Sequence, residues 1–154
     1  MISRSDVTPS RGGISTATFQ EDDLKKKKVS DARLSNLWSA AVKAKYKRCP
    51  ITGAKDGLQS HHIVAKGRQN RFCLRWDIAN GVPLRPDVHR LFHDGDIDVQ
   101  EKLIAYVTER GDRDYLMRLK NMLKREFLSV HVEMSEDEYR YNTMLELKKI
   151  IDES

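Results

Sequence analysis

The sequence predicts an α+β fold: a small strand–loop–strand–helix core with one helix before it and a set of helices after it. Three observations carry this. Residues 58–64 and 81–85 are short extended segments bounded by turn signals, Asp56-Gly57 before the first and Gly81 opening the second. Pro86-Asp87 then opens a short helix that Gly95 ends. Beyond Gly95 nearly every segment carries apolar residues at helical spacing.

Each element has its own signature. Residues 1–29 are rich in Ser, Thr, Gly and charge and include the run Lys25-Lys26-Lys27-Lys28, which predicts a flexible basic arm. From Ser30, a plausible N-cap, Leu34, Leu37, Trp38, Ala41, Val42 and Tyr46 fall on one face of a helix of about four turns. Trp38 lies on that apolar stripe and reads as a core anchor. Cys49-Pro50-Ile51-Thr52-Gly53 is a tight turn. Residues 66–70 read as loop, and 72–78 are too irregular to assign. The core spans residues 30–95, and residues 96–154 form a helical extension packed on it. There Val99, Leu103, Ile104 and Val107 make one stripe, while Tyr115, Leu116, Leu119, Met122 and Leu123 make another. Val130-His131-Val132 leans towards strand. Ser135 to Glu138 has the pattern of a capping box, and Tyr139, Met144, Leu147, Ile150 and Ile151 line the last helix.

Composition narrows the function. Of 154 residues a third are charged, with a formal charge of +5. The charge is lopsided: residues 1–95 hold 18 Lys/Arg against 9 Asp/Glu, and residues 96–154 hold 10 against 14. A basic half suits a polyanion partner, whose counterions are released on binding. The two cysteines, Cys49 and Cys73, are too few for a disulfide framework. No apolar run approaches the roughly 18 residues of a membrane span, and the N-terminus lacks a signal-peptide core, so a soluble cytoplasmic protein is expected. A monomer and a homodimer are both compatible with the sequence.

Four of the five histidines fall between residues 61 and 93. His89 and His93 are four apart, hence on one helical face about 5–6 Å from each other. A histidine from an adjacent strand can supply a third imidazole to one ion, leaving positions open for water and substrate. Side chains alternate along a strand, so His61 and His62 cannot both point at that ion. One is a ligand, and its neighbour is available as a base. That set suits metal-assisted hydrolysis.

These residues resemble the His-Asn-His (HNH, ββα-metal) endonucleases. The resemblance rests on His61-His62-Ile63, on Asn80 in Ala79-Asn80-Gly81, and on the His89-x-x-x-His93 helix. Over residues 34–95 the segments Leu37-Trp38-Ser39, Cys49 to Gly53, Leu58 to Ile63 and Arg75 to Leu84 are most similar to the phage-encoded, NinG-like branch. The resemblance implies a small ββα-metal core that cleaves DNA phosphodiesters to 5′-phosphate and 3′-hydroxyl ends. It implies that His61, His89 and His93 hold a divalent metal on a scissile-phosphate oxygen and the leaving 3′-oxygen. It further implies that His62 is the general base and that Asn80 holds the loop orienting it against a backbone carbonyl. Magnesium or manganese is expected for turnover, and zinc or nickel could occupy three imidazoles. Many relatives carry a structural zinc on two Cys-x-x-Cys knuckles. Here these read Cys49-Pro50-Ile51-Thr52 and Arg85-Pro86-Asp87-Val88, so no structural zinc is expected. Arg68, Arg71, Arg75, Arg85 and Arg90 are candidate DNA contacts, with Arg85 equally readable as a solvated or ion-paired residue. A catalytically idle DNA-binding module and a nuclease acting on RNA are the competing readings.

Overall fold

A computed structural model describes residues 28–65, 73–131 and 133–154. Most of the basic arm, the 66–70 loop with Arg68, and Arg71 lie outside the described residues. Among the described residues are six α-helices and one two-stranded antiparallel sheet, an α+β architecture with a small ββα core between flanking helices.

Helix α1 (Asp31–Tyr46) starts at Ser30, whose hydroxyl accepts from the Arg33 amide at 3.1 Å. Asp31 in its first turn and Lys43 and Lys45 in its last complement the helix dipole. Lys47, at φ +65°, ends it. Strands β1 (Gln59–His62) and β2 (Gly81–Leu84) pair with His61 opposite Val82 and His62 opposite Gly81. The first strand is shorter than the expected 58–64, although Ile63 N still donates to Asn80 O at 2.9 Å. A 3₁₀ turn, Ile78–Asn80, leads into β2. Helix α2 (Pro86–His93) follows, with Gly95 at φ +86° closing it, a conformation that costs glycine little. The extension comprises α3 (Ile97–Glu109), α4 (Arg113–Asn121), α5 (Lys124–Val130) and α6 (Glu136–Asp152).

Three apolar clusters hold these elements together. Leu34, Trp38, Ala41 and Val42 of α1 pack with Trp76 and with Met144 and Leu147 of α6. Cys73 and Leu74 are fully buried against Val107, Leu116, Leu119, Phe127 and Tyr139 from α3 to α6. Cys49, Val82, Leu84 and Val88 join Val99 and Leu103 beneath the sheet. The segment that looked unassignable before β2 therefore contributes anchors to two of the clusters, as Trp76 and Leu74.

Three expectations need correction. Ile104 is 55% exposed, because Val99, Leu103 and Val107 at four-residue spacing already fill the buried face of α3. The stripe through residues 115–123 is not one helix. Met122 and Leu123 are extended (ψ 144° and 149°), and Leu123, 56% exposed, begins α5 instead of ending α4. Val130 is the last residue of α5 and is exposed, not part of a strand. At the start of α6 the Ser135 hydroxyl accepts from the Glu138 amide at 3.1 Å. The apolar face of that helix is as expected: Tyr139, Met144 and Leu147 are buried, and Ile150 and Ile151 pack, partly buried, against the first cluster.

Candidate active site

Alternation along β1 sends His61 towards α2 and His62 towards α1. On the α2 side, His61 is 4% exposed and meets Phe92 edge-on at 4.3 Å between ring centroids. Its ring lies 4.9 Å from that of His89 and 5.4 Å from that of His93, and the two helix histidines are 4.7 Å apart. One nitrogen from each of the three can be chosen so that all lie within 4.8 Å of one another. Burial pushes the imidazolium of His61 down to a pKa of about 3, aided by His89, His93 and His62 nearby. His89 is lowered as well, first by burial and then by His93. The pair is thus held neutral, the form in which imidazole binds a metal.

Two features of the donor set suit a metal ion. His61 Nε2 is buried and has no hydrogen-bond partner, a situation that native interiors rarely tolerate without a ligand or solvent to meet it. His89 Nε2 and His93 Nε2 face each other at 3.0 Å, a separation that calls for a proton or a cation between them. Gln59, two residues before His61 and on the same strand face, places Oε1 2.8 Å from His89 Nδ1. An amide oxygen only accepts, so Nδ1 carries the hydrogen and the Nε2 lone pair is directed into the cluster. The three histidines fit a divalent ion.

The opposite face of β1 is built differently. The His62 ring stacks on Trp38 of α1, with centroids 3.9 Å apart and planes 9° from parallel. Its Nε2 lies 2.9 Å from Arg75 O. A carbonyl cannot donate, so Nε2 carries the hydrogen and Nδ1 is the basic nitrogen. Asn80 is fully buried: Oδ1 accepts from Val64 N at 2.7 Å, and Nδ2 donates to Val64 O at 3.1 Å and to Leu74 O at 3.0 Å. Its side chain ties the end of β1 to the segment whose next carbonyl, that of Arg75, meets His62. Asn80 and His62 are thus linked through two short stretches of backbone.

Both histidine faces open into one cavity of about 590 Å³, which Ser35, Ser39 and Ser60 also line. Of the arginines, Arg75 pairs with Asp31 at 3.3 Å and lies over the Trp76 ring. Arg85 pairs with Asp87 through Nε (2.8 Å) and Nη2 (2.5 Å), both side chains about half exposed, where such pairs exchange readily with solvent and ligands. Arg90 is exposed on α2.

Several residues at the site escaped the reading of the sequence. Trp38 is a core anchor and also the platform for His62. Gln59 had a signal, since it is two residues from His61 on a strand. Tyr46, Asp77 and Arg110 had none. Asp77 accepts from Ala79 N at 2.9 Å and from Tyr115 OH at 2.5 Å, and burial raises its carboxyl above the usual range. Arg110, at the end of α3, reaches the carbonyls on either side of Asn80.

Comparison with known families finds that residues 49–100 match the family described as HNH endonuclease. The matched span contains His61, His62, Asn80, His89 and His93, and excludes Trp38, Tyr46 and Arg110. No curated protein and no solved structure matches the chain. Among the described residues no helix is long and apolar enough to cross a membrane.

Proposed function

We propose that the chain is a metal-dependent endonuclease hydrolysing DNA phosphodiester bonds to 5′-phosphate and 3′-hydroxyl ends. One observation carries the reading: three imidazoles converge on one side of β1, while His62, in the tautomer of a general base, stands on the other. The family matched by residues 49–100 acts in the same sense. A divalent ion held by His61, His89 and His93 would offset negative charge on a phosphate oxygen and on the departing 3′-oxygen. His62 Nδ1 takes the proton of a water whose oxygen attacks phosphorus as the bond to the 3′-oxygen breaks. Arg75 O holds the opposite end of the imidazole and stabilises the imidazolium that forms. Magnesium or manganese is the ion we assign to turnover, with zinc or nickel able to occupy the site. The water supplies the nucleophile, so no 2′-hydroxyl is required, which makes DNA the default substrate of this reading. On the motif resemblance of residues 34–95 we further propose a phage-encoded, NinG-like nuclease that works in a cytoplasm.

A cleavage assay on supercoiled, linear, single-stranded and branched DNA, with RNA alongside, tests this. His62→Ala should slow metal-dependent cleavage by about 10²–10⁴-fold while manganese affinity stays unchanged. Loss of metal binding of similar size would overturn the division between base and ligands. Cleavage of RNA alone would move the activity to the competing substrate, and no cleavage at all would favour an idle nucleic-acid-binding module.

A further inference from the structure

The carbonyls of five consecutive residues leading into β2 all receive a donor. Trp38 Nε1 donates to Asp77 O at 2.8 Å, and Tyr46 OH donates to Ile78 O at 3.2 Å. Arg110 Nη2 donates to Ala79 O at 2.6 Å, and Arg110 Nη1 donates to Gly81 O at 2.9 Å. Between the last two, Asn80 O accepts from Ile63 N of the neighbouring strand at 2.9 Å. Asp77 O and Ile78 O also accept from the backbone amides of Asn80 and Gly81. Four of the donors are side-chain groups, on three residues that lie outside the 49–100 span.

Arg110 makes the largest contribution to this arrangement. Gly81 is the first residue of β2, and its carbonyl lies on the outer edge of a two-stranded sheet, where no third strand pairs with it among the described residues. Ala79 O belongs to the 3₁₀ turn just before it, and the same guanidinium reaches both. The planar guanidinium spans both with two parallel N–H groups, a geometry a lysine cannot supply. Its side chain is 13% exposed, its Nε is held by Asp112 at 2.6 Å, and Tyr46 lies beneath it at 4.1 Å from the ring centroid. A charge this buried is retained only with such partners. Its hydrogen bonds to neutral carbonyls are charge-assisted, hence stronger than ordinary ladder bonds.

We propose that Arg110 is a positioning residue for the nuclease chemistry: it stands in for a third strand, fixes the backbone on both sides of Asn80, and through Asn80 fixes the carbonyl that orients His62. This rests on the reading of His62 as the base. The metal cluster lies on the other face of β1 and does not depend on it. The consequence is separable. Loss of Arg110 should loosen the base while leaving the ion's ligands in place.

The test compares Arg110→Ala and Arg110→Lys with the wild-type chain, below the unfolding temperature of each variant. For Arg110→Ala, kcat should fall by about ten- to a hundredfold, the range that small misplacements of a catalytic group produce. KM and manganese affinity should be retained. Arg110→Lys should recover the unfolding temperature but only part of kcat. Nitrogen-15 NMR of the imidazoles supplies a readout independent of cleavage. The wild type should show His62 protonated on Nε2, and Arg110→Ala should shift it towards a mixture of tautomers with His61, His89 and His93 unaltered. If Arg110→Ala lowers the unfolding temperature yet leaves kcat and the His62 signals as in the wild type, Arg110 is merely structural and the proposal fails. Should the wild type cleave nothing, the nuclease reading falls, and the NMR comparison still decides what Arg110 does.

Discussion

The two faces of β1 are held in place by different means. His61, His89 and His93 are supplied by one strand and one two-turn helix, elements 35 residues apart from end to end (Gln59 to His93), and their convergence needs little beyond the β1–β2–α2 unit. His62 and Asn80 lie within the same stretch, yet their settings come from far along the chain: Trp38 and Tyr46 from α1, and Arg110 from the end of α3. A ligand cluster tolerates some play because an ion draws its ligands together. A base must present one nitrogen in one direction, and the packing around it has to supply that direction.

The largest effect that could break this contrast lies on the ligand side. His89→Ala and His93→Ala should each lower manganese affinity and cleavage together, by more than the tenfold to hundredfold (about) that outer-sphere substitutions cost. Calorimetric titrations indistinguishable from wild type would show that the cluster is not the metal site. Next comes the base side, where Gly81 packs directly on α1. An added Cβ would collide with Val42 Cγ2 and sit 3.0 Å from Trp38 Cζ2. Gly81→Ala should therefore destabilise the fold by about 1–3 kcal/mol, read from denaturant unfolding, with metal affinity retained. An unchanged unfolding midpoint would mean that α1 yields easily and does not brace β2.

The smallest effect is on pH. His61 has a folded pKa near 3 against an ordinary value of 6.5. Between these limits the unfolded chain binds more protons, so stability is fully present above about pH 6.5 and is lost as pH falls towards about 3. Asp77, raised by burial, works in the opposite sense, favouring the folded chain as its carboxylate is protonated. The difference between wild type and His61→Phe isolates the histidine. In chelator, the thermal midpoint of the variant should fall less steeply across this window; parallel curves would remove burial of a neutral His61 from the account.

What could be read from the sequence follows the same division. The convergence of the histidines was legible because helix and strand periods are local: four residues separate His89 from His93, and alternation parts His61 from His62. The caps at Ser30 and Ser135 were legible for the same reason. The break at Met122–Leu123 was hidden, because neither glycine nor proline marks it and apolar residues continue through it at helical spacing. Leu74 and Trp76 sit in a segment too short to show any period. Arg110 was invisible for a deeper reason. Its partners are main-chain oxygens, which every residue carries, so nothing in their identity points back to an arginine some thirty residues away (Ala79 to Arg110).

The outer edge of β2 also bears on the unit in which this chemistry can be inherited or transplanted. In a wider sheet any neighbouring strand would satisfy Gly81 O, whatever its side chains, and the histidine-bearing unit could move between hosts with fewer conditions. Here one cation on a distant helix does that work, with a tyrosine under it and an aspartate beside it. The portable cassette therefore runs from α1 at least to Asp112, and a recombination event that cuts between Gln100 and Arg110 would carry off the histidines without the residue that braces their asparagine.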